Sequence, residues 1–510
     1  MESLEELAWE RFAYLSVAEE RLVQHAPEGT PADCSNLGGG GDPKKVDAWP
    51  ASRNVRADLI RWLCVDRTTR ERIDPRGIQL HGARITDALD LSFTSLLFPL
   101  TLHSCSLDQV IVLTAAKMPL LSLEGSWTRK IDAEGLKLEN DIFLTRGFHA
   151  EGEVRLIGAT IGGDLNALGG EFKNLGQDAL TADRISVAGN IVFTEGFVAV
   201  GKVNLAGAEI KGLVDVESAW IDELNLEGAH IAGELFWRYL RKDLHQDFPN
   251  QKWKRSLNLI NAKVGSLVDQ AASWPEPGQL HLDGFVYDRI TEADPKAPID
   301  PKAPIDERVP IDAAARIKWL RLQFQPDRPK FHVRPQPYEQ LIAVLRQTGH
   351  ENQVATIAIA KQKDLYEHGA LGWLAKLQSW FLYLVVGYGY RAWQAFIGVF
   401  LLIAIGSCIF SVAHSANVLV PSDKDAYTKY EASKMKELPL YYPDFHAPLY
   451  SLDIVLPFDL GQKANWRLIE KCPGDVAYWG YELYSIMQRF IGWVLLLVAA
   501  AVPAGFIKKD

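Results

Sequence analysis

The sequence predicts a mainly β protein: a β-solenoid with short N-terminal helices, followed by a small αα-hairpin and two C-terminal transmembrane helices. Three observations lead to this prediction. A short motif with apolar ends recurs through the first half of the chain, a proline-rich stretch follows its last copy, and two long stretches near the C-terminus carry no charge. Repeats of this kind indicate stacked coils, and uncharged stretches of this length indicate membrane spans.

These observations divide the 510 residues into eight segments. They are an N-terminal helical cap with a Gly-rich loop (1–70), the β-solenoid (74–288), a Pro-rich linker (289–312), a juxtamembrane helical hairpin (313–370), an interfacial aromatic segment (371–391), transmembrane helix 1 (392–413), an extracytoplasmic loop (414–489) and transmembrane helix 2 (490–507). The hydrophobic content of 48% is ample for a sizeable core.

The composition argues against nucleic-acid binding and against a disulfide framework. A formal net charge of -10 gives no general attraction for a polyanion. The five cysteines are scattered and lack CxxC spacing, so we predict neither disulfides nor a zinc site. A reduced, cytoplasmic bulk is therefore expected.

The N-terminal stretch MESLEELAWERFAYLSVAEERL is acidic and has no uninterrupted apolar core, which argues against a secretory signal. Leu4, Leu7, Phe12, Leu15 and Leu22 lie near helical spacing. We therefore predict an amphipathic helix, and packing on the next domain is favoured over membrane contact.

An internal repeat is the most informative feature of the sequence. Four segments share the pattern LxGAxIxxx followed by Leu or Val, and a fifth has Asn in place of Gly. The five copies begin at Leu80, Leu156, Leu205, Leu226 and Leu259. A longer unit from Ile131 also aligns without gaps on a unit from Leu180, a shift of 49 residues.

The repeat predicts short strands joined by sharp turns. Alternating apolar positions, such as Val154 and Leu156 and then Ala159 and Ile161, place every second side chain on one face. Glycines and small residues between the runs supply the turns. A repeat of about 20 to 25 residues stacks each coil on the next, which predicts a β-solenoid from about residue 74 to residue 288.

The LxGAxI rungs resemble those of pentapeptide-repeat proteins and, less closely, of the β-helical bactofilins, although the strict five-residue A(D/N)Lxx register is not kept. The whole layout, with a short helical lead, solenoid units containing GFxAxG and a hydrophobic tail, is similar to that of bacterial membrane-associated repeat proteins of undefined activity. This resemblance implies a fold and a location, and it brings no catalytic motif.

Two elements follow the solenoid. The stretch ADPKAPIDPKAPIDERVPID, residues 293–312, predicts an extended, semi-rigid spacer because proline fixes φ and removes donors. A plain linker is favoured over a segment that a polyproline-binding partner recognises. Residues 337–369 predict two amphipathic helices joined at Gly349. Their lysines either face anionic lipid or lie on a solvated face, and the solvated face is favoured.

Two membrane spans are predicted with a defined orientation. Residues 392–413 would form a helix of about 33 Å, enough for a hydrocarbon core of about 30 Å. Residues 490–507 form a second span near the lower length limit. Arg391 precedes the first span and Lys508 and Lys509 follow the second, so the positive-inside rule places both termini in the cytoplasm. We expect a multi-pass protein of the inner (cytoplasmic) membrane.

The motif VVGYG at residues 385–389 resembles the selectivity filter of a potassium channel. A filter lies between two spans, whereas no span precedes this motif. We therefore predict an aromatic belt at the water–lipid boundary with a glycine-jointed bend. The predicted membrane-interface anchors are Trp373, Trp380, Tyr383, Tyr388, Tyr390, Arg391 and Trp393.

The apolar run at residues 449–460 lies between the spans and is too short to cross, but it is long enough to dip into the bilayer. Asp453 and Asp459 are its possible pore or loop acids, because rings of Asp from several subunits attract cations. The favoured alternative is an extracytoplasmic loop that folds on the outer surface with both acids in water.

Recognisable enzyme motifs are absent from the sequence. There is no GxSxG, HExxH or P-loop, and the glycines at residues 38–41 lack the GK[ST] ending. His81 and His230 lie at outward repeat positions, where a solvated histidine is favoured over a metal ligand. We assign no catalytic, cofactor-binding or metal residue and lean against an enzyme.

Three functional hypotheses follow. The favoured one is a membrane-anchored, non-enzymatic interaction or assembly module on the cytoplasmic face, which contacts the lipid bilayer and either a protein partner or further copies of itself. The alternative is an oligomeric pore or membrane-permeabilising effector with the solenoid as sensor. A membrane-associated enzyme, such as an oxidoreductase, comes third.

Overall fold

The computed structural model describes residues 2–241, 255–290, 312–325, 333–369, 372–391, 393–470 and 476–501. The chain divides into two units, Met1–Ile357 and Ala358–Asp510. The first contains the solenoid, and the second contains two long apolar helices. Most of the predicted linker, residue 392 and the predicted end of the second span at 502–507 lie outside the described residues.

The helices lie at both ends of the chain and flank the strands. The α-helices are α1 Leu4–Arg11, α2 Val17–His25, α3 Ala57–Val65, α4 Arg67–Arg70, α5 Ala313–Arg321, α6 Gln336–Gln347, α7 Glu351–His368, α8 Trp373–Val386, α9 Trp393–Ser415, α10 Lys424–Ala432, α11 Ala447–Val455, α12 Gln462–Asn465 and α13 Val476–Ala501. Short 3-10 helices lie at Ser35–Leu37, Pro43–Ala48, Ala51–Arg53, Ala271–Ser273 and Gly387–Gly389.

The strands are mostly two or three residues long. Those of the first coils are β1 Ala32–Asp33, β2 Asn54–Arg56, β3 Ile78–His81, β4 Arg84–Thr86, β5 Leu89–Asp90, β6 Leu100–His103, β7 Ser106–Leu107, β8 Ile111–Val112, β9 Lys117–Met118, β10 Leu121–Ser122, β11 Trp127–Thr128, β12 Ile131–Asp132, β13 Lys137–Leu138, β14 Ile142–Phe143, β15 His149–Glu151, β16 Val154–Arg155, β17 Thr160–Ile161 and β18 Leu165–Asn166. The later strands are β19 Glu171–Thr181, β20 Ser186–Val187, β21 Ile191–Val192, β22 Val198–Asn204, β23 Glu209–Ile210, β24 Val214–Asp215, β25 Trp220–Asn225, β26 His230–Trp237, β27 Ser256–Asn258, β28 Lys263–Asp269, β29 Leu280–His281, β30 Val286–Ile290, β31 Leu419–Pro421 and β32 Trp466–Leu468.

The predicted β-solenoid is confirmed, and it makes about nine turns. Its strands pair in parallel from coil to coil and form four ladders. The first ladder contains β3, β6, β10, β14, β18, β21, β24, β26, β28 and β30; the second β2, β4, β7, β11, β15, β19, β22 and β25; the third β5, β8, β12, β16, β19, β22, β25, β27 and β29; the fourth β9, β13, β17, β20, β23, β26, β28 and β30. Longer strands turn a corner and so belong to two ladders.

The 49-residue shift seen in the sequence corresponds to two coils. Ile131 pairs with Val154, and Val154 pairs in turn with Leu180. A single coil is therefore about half of the long sequence unit, close to the spacing that the repeat predicts.

The core of the solenoid is a stack of apolar side chains that point inward in register. Along the first ladder the paired inward residues are Ile78, Leu100, Leu121, Ile142, Leu165, Ile191, Val214, Leu235, Leu267 and Ile290, and all of them are buried. Main-chain N–H groups of each coil donate to carbonyls of an adjacent coil, so the stacking that buries the side chains also satisfies the backbone.

The corner between the first and second ladders requires a left-handed backbone in each coil. The corner residues Gly82, Ser104, Gly125, Arg146, Gly169, Glu195 and Ser218 all have positive φ. Gly82 is the glycine of the first LxGAxI copy, and glycine adopts this conformation without steric cost. The corner residues that carry a Cβ atom adopt it because the stacked coils above and below determine the path of the chain.

The predicted short N-terminal helices are confirmed, and the stretch interpreted as one amphipathic helix forms two of them, α1 and α2. Ser3 caps α1 and Ser16 caps α2, each in a capping box with Glu6 or Glu19. Because these side chains satisfy the first N–H groups, each serine starts a helix of its own. Glu19 also forms an ion pair with Arg56, with a 2.7 Å distance between Oε1 and Nε, next to the first coil; Glu19 is buried and Arg56 is partly exposed.

The C-terminal end of the solenoid is covered by α5 and α6. Arg316 of α5 forms two hydrogen bonds with Asp269 of β28, at 2.5 and 2.8 Å, and both side chains are buried. The side chains of Gln336 and Gln340 in α6 bond to main-chain groups of the last coil at 2.7 to 3.0 Å. These contacts provide partners for main-chain groups of the last coil, at an end of the solenoid that would otherwise be open to further strand pairing.

We predict that Leu165→Ala lowers the free energy of unfolding by about 2–5 kcal/mol, because it leaves a cavity inside the first ladder. Denaturant unfolding of the full chain in detergent, followed by far-UV circular dichroism, measures this change. Lys137→Ala on the exposed side of β13 is the matched control, with an expected change within about 0.5 kcal/mol. Equal effects of the two substitutions would contradict the inward stack.

Candidate functional site

The second unit contains two helices that are long and apolar enough to cross a membrane, α9 and α13. Their 23 and 26 residues correspond to about 35 and 39 Å. Helix α13 begins at Val476, so it is longer at its N-terminal end than the span predicted from residue 490. Few side chains of either helix are buried, and many of the exposed ones are large and apolar, such as Phe400 and Phe490.

Helix α11 packs against both long helices, and α9 also packs against α13. Glycines make the room for this contact. A Cβ atom on Gly406 of α9 would clash with Ser451 of α11 and would lie 2.7 Å from Gln488 Nε2 of α13. A Cβ atom on Gly492 of α13 would lie 2.7 Å from Val455. The apolar run that was expected to dip or fold outward is therefore helical as far as Val455, and this helix packs against the two long helices by close backbone approach.

Polar side chains connect these three helices at the same level. Ser451 Oγ donates to the Ile403 carbonyl at 3.0 Å, and Gln488 Nε2 donates to Ser451 Oγ at 2.7 Å. Ser451 and Gln488 are buried, and Gln488 Oε1 has no hydrogen-bond partner among the described residues. The sequence prediction missed Gln488 because the predicted span began two residues after it; a glutamine inside a longer apolar helix was the available signal.

Asp453 is buried in α11, so the favoured expectation of an acid in water was wrong for this residue. Its carboxylate accepts hydrogen bonds from the main-chain N–H groups of Leu460, Gln462 and Lys463 at 2.8 to 2.9 Å. Lys463 Nζ lies 3.3 Å from the same carboxylate. Asp453 therefore closes the loop after α11 and caps the start of α12. Both of its oxygens are already engaged.

Asp459 lies at the exposed tip of this loop, between Phe458 and Leu460, whose side chains are also exposed. One carboxylate oxygen accepts from the Gly461 N–H at 2.6 Å. The structure thus separates the two predicted acids: Asp453 supports the loop, and Asp459 is accessible at its surface.

The predicted interface anchors lie on α8, on the turn after it and at the start of α9. Trp373, Trp380, Tyr383 and Trp393 are largely exposed. Tyr388 is half-buried and its hydroxyl lies 2.9 Å from Ser379 Oγ. Tyr390 is half-buried and Arg391 is exposed.

The motif VVGYG forms the end of α8 and a tight turn. Helix α8 ends at Val386, and Gly387 and Tyr388 have φ values of 52° and 55°. The carbonyls of Val386 and Gly387 accept local hydrogen bonds from Arg391 N and Tyr390 N. A selectivity filter needs carbonyls that are free to coordinate ions, and these two carbonyls are not free. The motif therefore forms a bend, as the sequence predicted.

The two predicted outward histidines lie far apart on the solenoid. His81 stacks on His103, with ring centroids 4.9 Å apart, and His230 is exposed with its Nδ1 3.3 Å from Glu209. Within the described ranges, no group of three or more His, Cys, Asp or Glu residues has a geometry suited to a metal ion.

No protein-family model, curated protein or solved structure matches this chain. The resemblance of its rungs to pentapeptide-repeat proteins and bactofilins extends to the β-solenoid fold, and neither family is assigned.

We predict that Asp453→Asn loosens the loop after α11, because the amide has one acceptor oxygen for three main-chain donors and no charge for Lys463. Hydrogen–deuterium exchange of the full chain in detergent should show faster exchange at the amides of Leu460, Gln462 and Lys463. Asp459→Asn is the matched control and should leave these three amides unchanged. Equal protection in wild type and Asp453→Asn would contradict the role of Asp453.

Proposed function

We propose that the chain is a membrane-anchored, non-enzymatic interaction or assembly module. Helices α9 and α13 insert into the inner membrane, and the solenoid lies on the cytoplasmic face, where it binds a protein partner or further copies of itself. The apolar, exposed surfaces of the two long helices support the anchor, since water is a poor environment for so many large apolar side chains.

One continuous surface of the solenoid carries the proposal. The outward residues of the fourth ladder pair in register and are all exposed; we name them the exposed ladder. They are Lys117, Lys137, Thr160, Ser186, Glu209, His230, Lys263 and Val286. At about 4.8 Å between strands, the exposed ladder is about 34 Å long.

The other three ladders are partly covered on their outer sides. The outward positions Ser122 of the first ladder, Val198 of the second and Asn225 of the third are all buried. The exposed ladder is also rigid. Each of its strands pairs with the strand of the coil on either side or lies at an end of the ladder that other segments cover. A rigid surface loses little conformational entropy on binding, which favours a docking role.

The chemistry of the exposed ladder indicates a polar partner surface. It combines lysines with hydroxyl groups and one glutamate, and Val286 is its one aliphatic side chain. Contacts of this kind give specificity and association rate more than affinity, and they weaken as salt is added. We therefore expect a reversible contact with an acidic or mixed-charge protein surface.

We predict that a photo-crosslinking amino acid at Thr160 captures a discrete partner or a second copy in intact membranes. The same amino acid at Glu151, exposed on the second ladder, is the matched control and should give the monomer alone. Electrophoresis and mass spectrometry identify the products. Monomer alone from Thr160, or identical products from both positions, would contradict binding through the exposed ladder.

A second candidate, an oligomeric pore, is favoured by one observation. Helix α11 and its loop are held between two apolar helices, and the loop presents Asp459 at its surface. Several copies arranged around an axis would bring these loops together, as carboxylate rings do in cation channels. In such a pore Asp459 would face the ions, since the oxygens of Asp453 already accept main-chain donors.

For the pore we predict cation flux through liposomes that contain the purified protein, with reduced cation preference in Asp459→Asn. Removal of the exposed charge lowers the local cation concentration without opening the loop. Fluorescent reporters of potassium and chloride inside the liposomes measure both fluxes. No flux from wild type, or the same preference in both proteins, would remove the support for this candidate.

A further inference from the structure

A polar cavity of about 400 Å³ lies at the first coils of the solenoid, beside the Gly-rich segment Gly38–Gly41. We name it the Arg53 cavity. Its lining includes Arg53, His81, His103 and Arg146, together with Gly82 at the corner of the first coil. Neither the repeat nor the membrane unit accounts for this group of side chains.

Arg53 is fully buried, and its charge has only neutral hydrogen-bond partners. Nε donates to the Gly82 carbonyl at 2.6 Å, and Nη1 donates to the carbonyls of Gly38 and Gly40 at 2.8 and 2.6 Å. The guanidinium also lies over the Trp49 ring, 3.5 Å from its centroid. Burial lowers the pKa of Arg53, as expected for a cation in a poorly hydrated place.

One nitrogen of this guanidinium is left without a partner. Arg53 Nη2 is buried and has no hydrogen-bond acceptor in the part of the chain that the structure describes. A buried donor that lacks both a partner and water raises the free energy of the folded protein. A ligand oxygen that accepts a hydrogen bond from it would therefore bind favourably.

Glycines surround Nη2. A Cβ atom on Gly82 would lie only 2.9 Å from Nη2, so a side chain at this corner would crowd the partnerless nitrogen. Cβ atoms on Gly40 and Gly41 would meet no atom within 4 Å, so the Gly-rich segment borders open space. Lys44 holds the chain after this segment, with its Nζ 3.2 Å from Glu171 on β19.

The remaining walls are compatible with an anion. His103 stacks on His81, and its Nε2 lies 2.8 Å from Ser122 Oγ. Two carboxylates also line the cavity. Glu124 pairs with Arg146 at 3.0 Å, and Asp33 is exposed to water and accepts from the Ser35 N–H. The uncompensated charge in the interior is therefore that of Arg53.

We propose that the Arg53 cavity binds the oxyanion group, phosphate or carboxylate, of a small molecule, with Arg53 Nη2 as the principal donor. A buried guanidinium donor is well suited to both groups. This site goes beyond the proposed docking function and does not depend on it, because it lies away from the exposed ladder and needs no membrane contact.

The test is calorimetric titration of the full chain in detergent, at constant ionic strength, with inorganic phosphate in one arm and acetate in the other. Saturable binding of phosphate alone supports a phosphate-bearing ligand, and binding of acetate alone or of both supports a carboxylate or a general oxyanion site. Chloride at the same ionic strength should give no saturable heat. Absence of saturable binding in both arms would overturn the proposal.

Two substitutions locate the site. Ser104→Glu places a carboxylate at the mouth of the cavity and should weaken binding at least tenfold. Ser218→Glu changes the equivalent left-handed corner of a later coil and should leave binding unchanged. Arg53→Lys, which keeps the charge and removes the Nη2 donor, should also weaken binding at least tenfold. If Arg53→Lys does not fold, the Ser104 and Ser218 pair decides, and equal affinity in those two variants would overturn the proposal.

Discussion

The rest of the structure depends on the parallel, in-register stacking of one coil on the next. Each coil places its apolar side chains above those of the previous coil, as Leu121 does between Leu100 and Ile142, and it forms main-chain hydrogen bonds with the adjacent coils. The left-handed corners follow from this requirement, because the chain must bend at the same place in every coil. Residues with a Cβ atom, such as Ser104 and Arg146, accept that conformation since the stack leaves no alternative path.

A stack of parallel strands has two open ends, and this protein covers each with charged or polar side chains from helices. At one end Glu19 and Arg56 connect α2 to the first coil; at the other, Arg316 and Asp269 connect α5 to β28. Burial of an ion pair is costly, so the fully buried pair Arg316 and Asp269 is held by two hydrogen bonds, whereas Arg56 of the other pair stays partly exposed to water. Arg53 is also a buried cation, but its partners are main-chain carbonyls instead of a carboxylate. One of its nitrogens, Nη2, is left without a hydrogen-bond acceptor among the described residues.

The sequence predicted those parts of the fold that a local period encodes. The LxGAxI copies predicted strands, corners and coil length, and the uncharged stretches predicted α9 and the C-terminal part of α13. Partners that are distant in sequence were beyond this reasoning. Nothing local to Asp453 shows that three main-chain N–H groups, seven to ten residues later, will surround it. The start of the second N-terminal helix, by contrast, had a local signal, the capping box of Ser16 and Glu19, which the prediction of a single helix overlooked. Arg53 was missed because its partners are carbonyls, which every residue has and no pattern distinguishes.

Asp453 also shows why residue type is a weak guide to function at a membrane. A carboxylate between two apolar helices suggests an ion pathway, yet its oxygens are used to fold a loop and its charge is balanced by Lys463. A carboxylate can coordinate an ion only if its oxygens have lone pairs that are not already used. A buried carboxylate whose oxygens all accept hydrogen bonds has no such lone pairs. The same criterion applied to Arg53 gives the opposite result, since its Nη2 is buried without a partner. Unfilled bonding capacity, rather than charge, therefore distinguishes the candidate ligand site from the structural one.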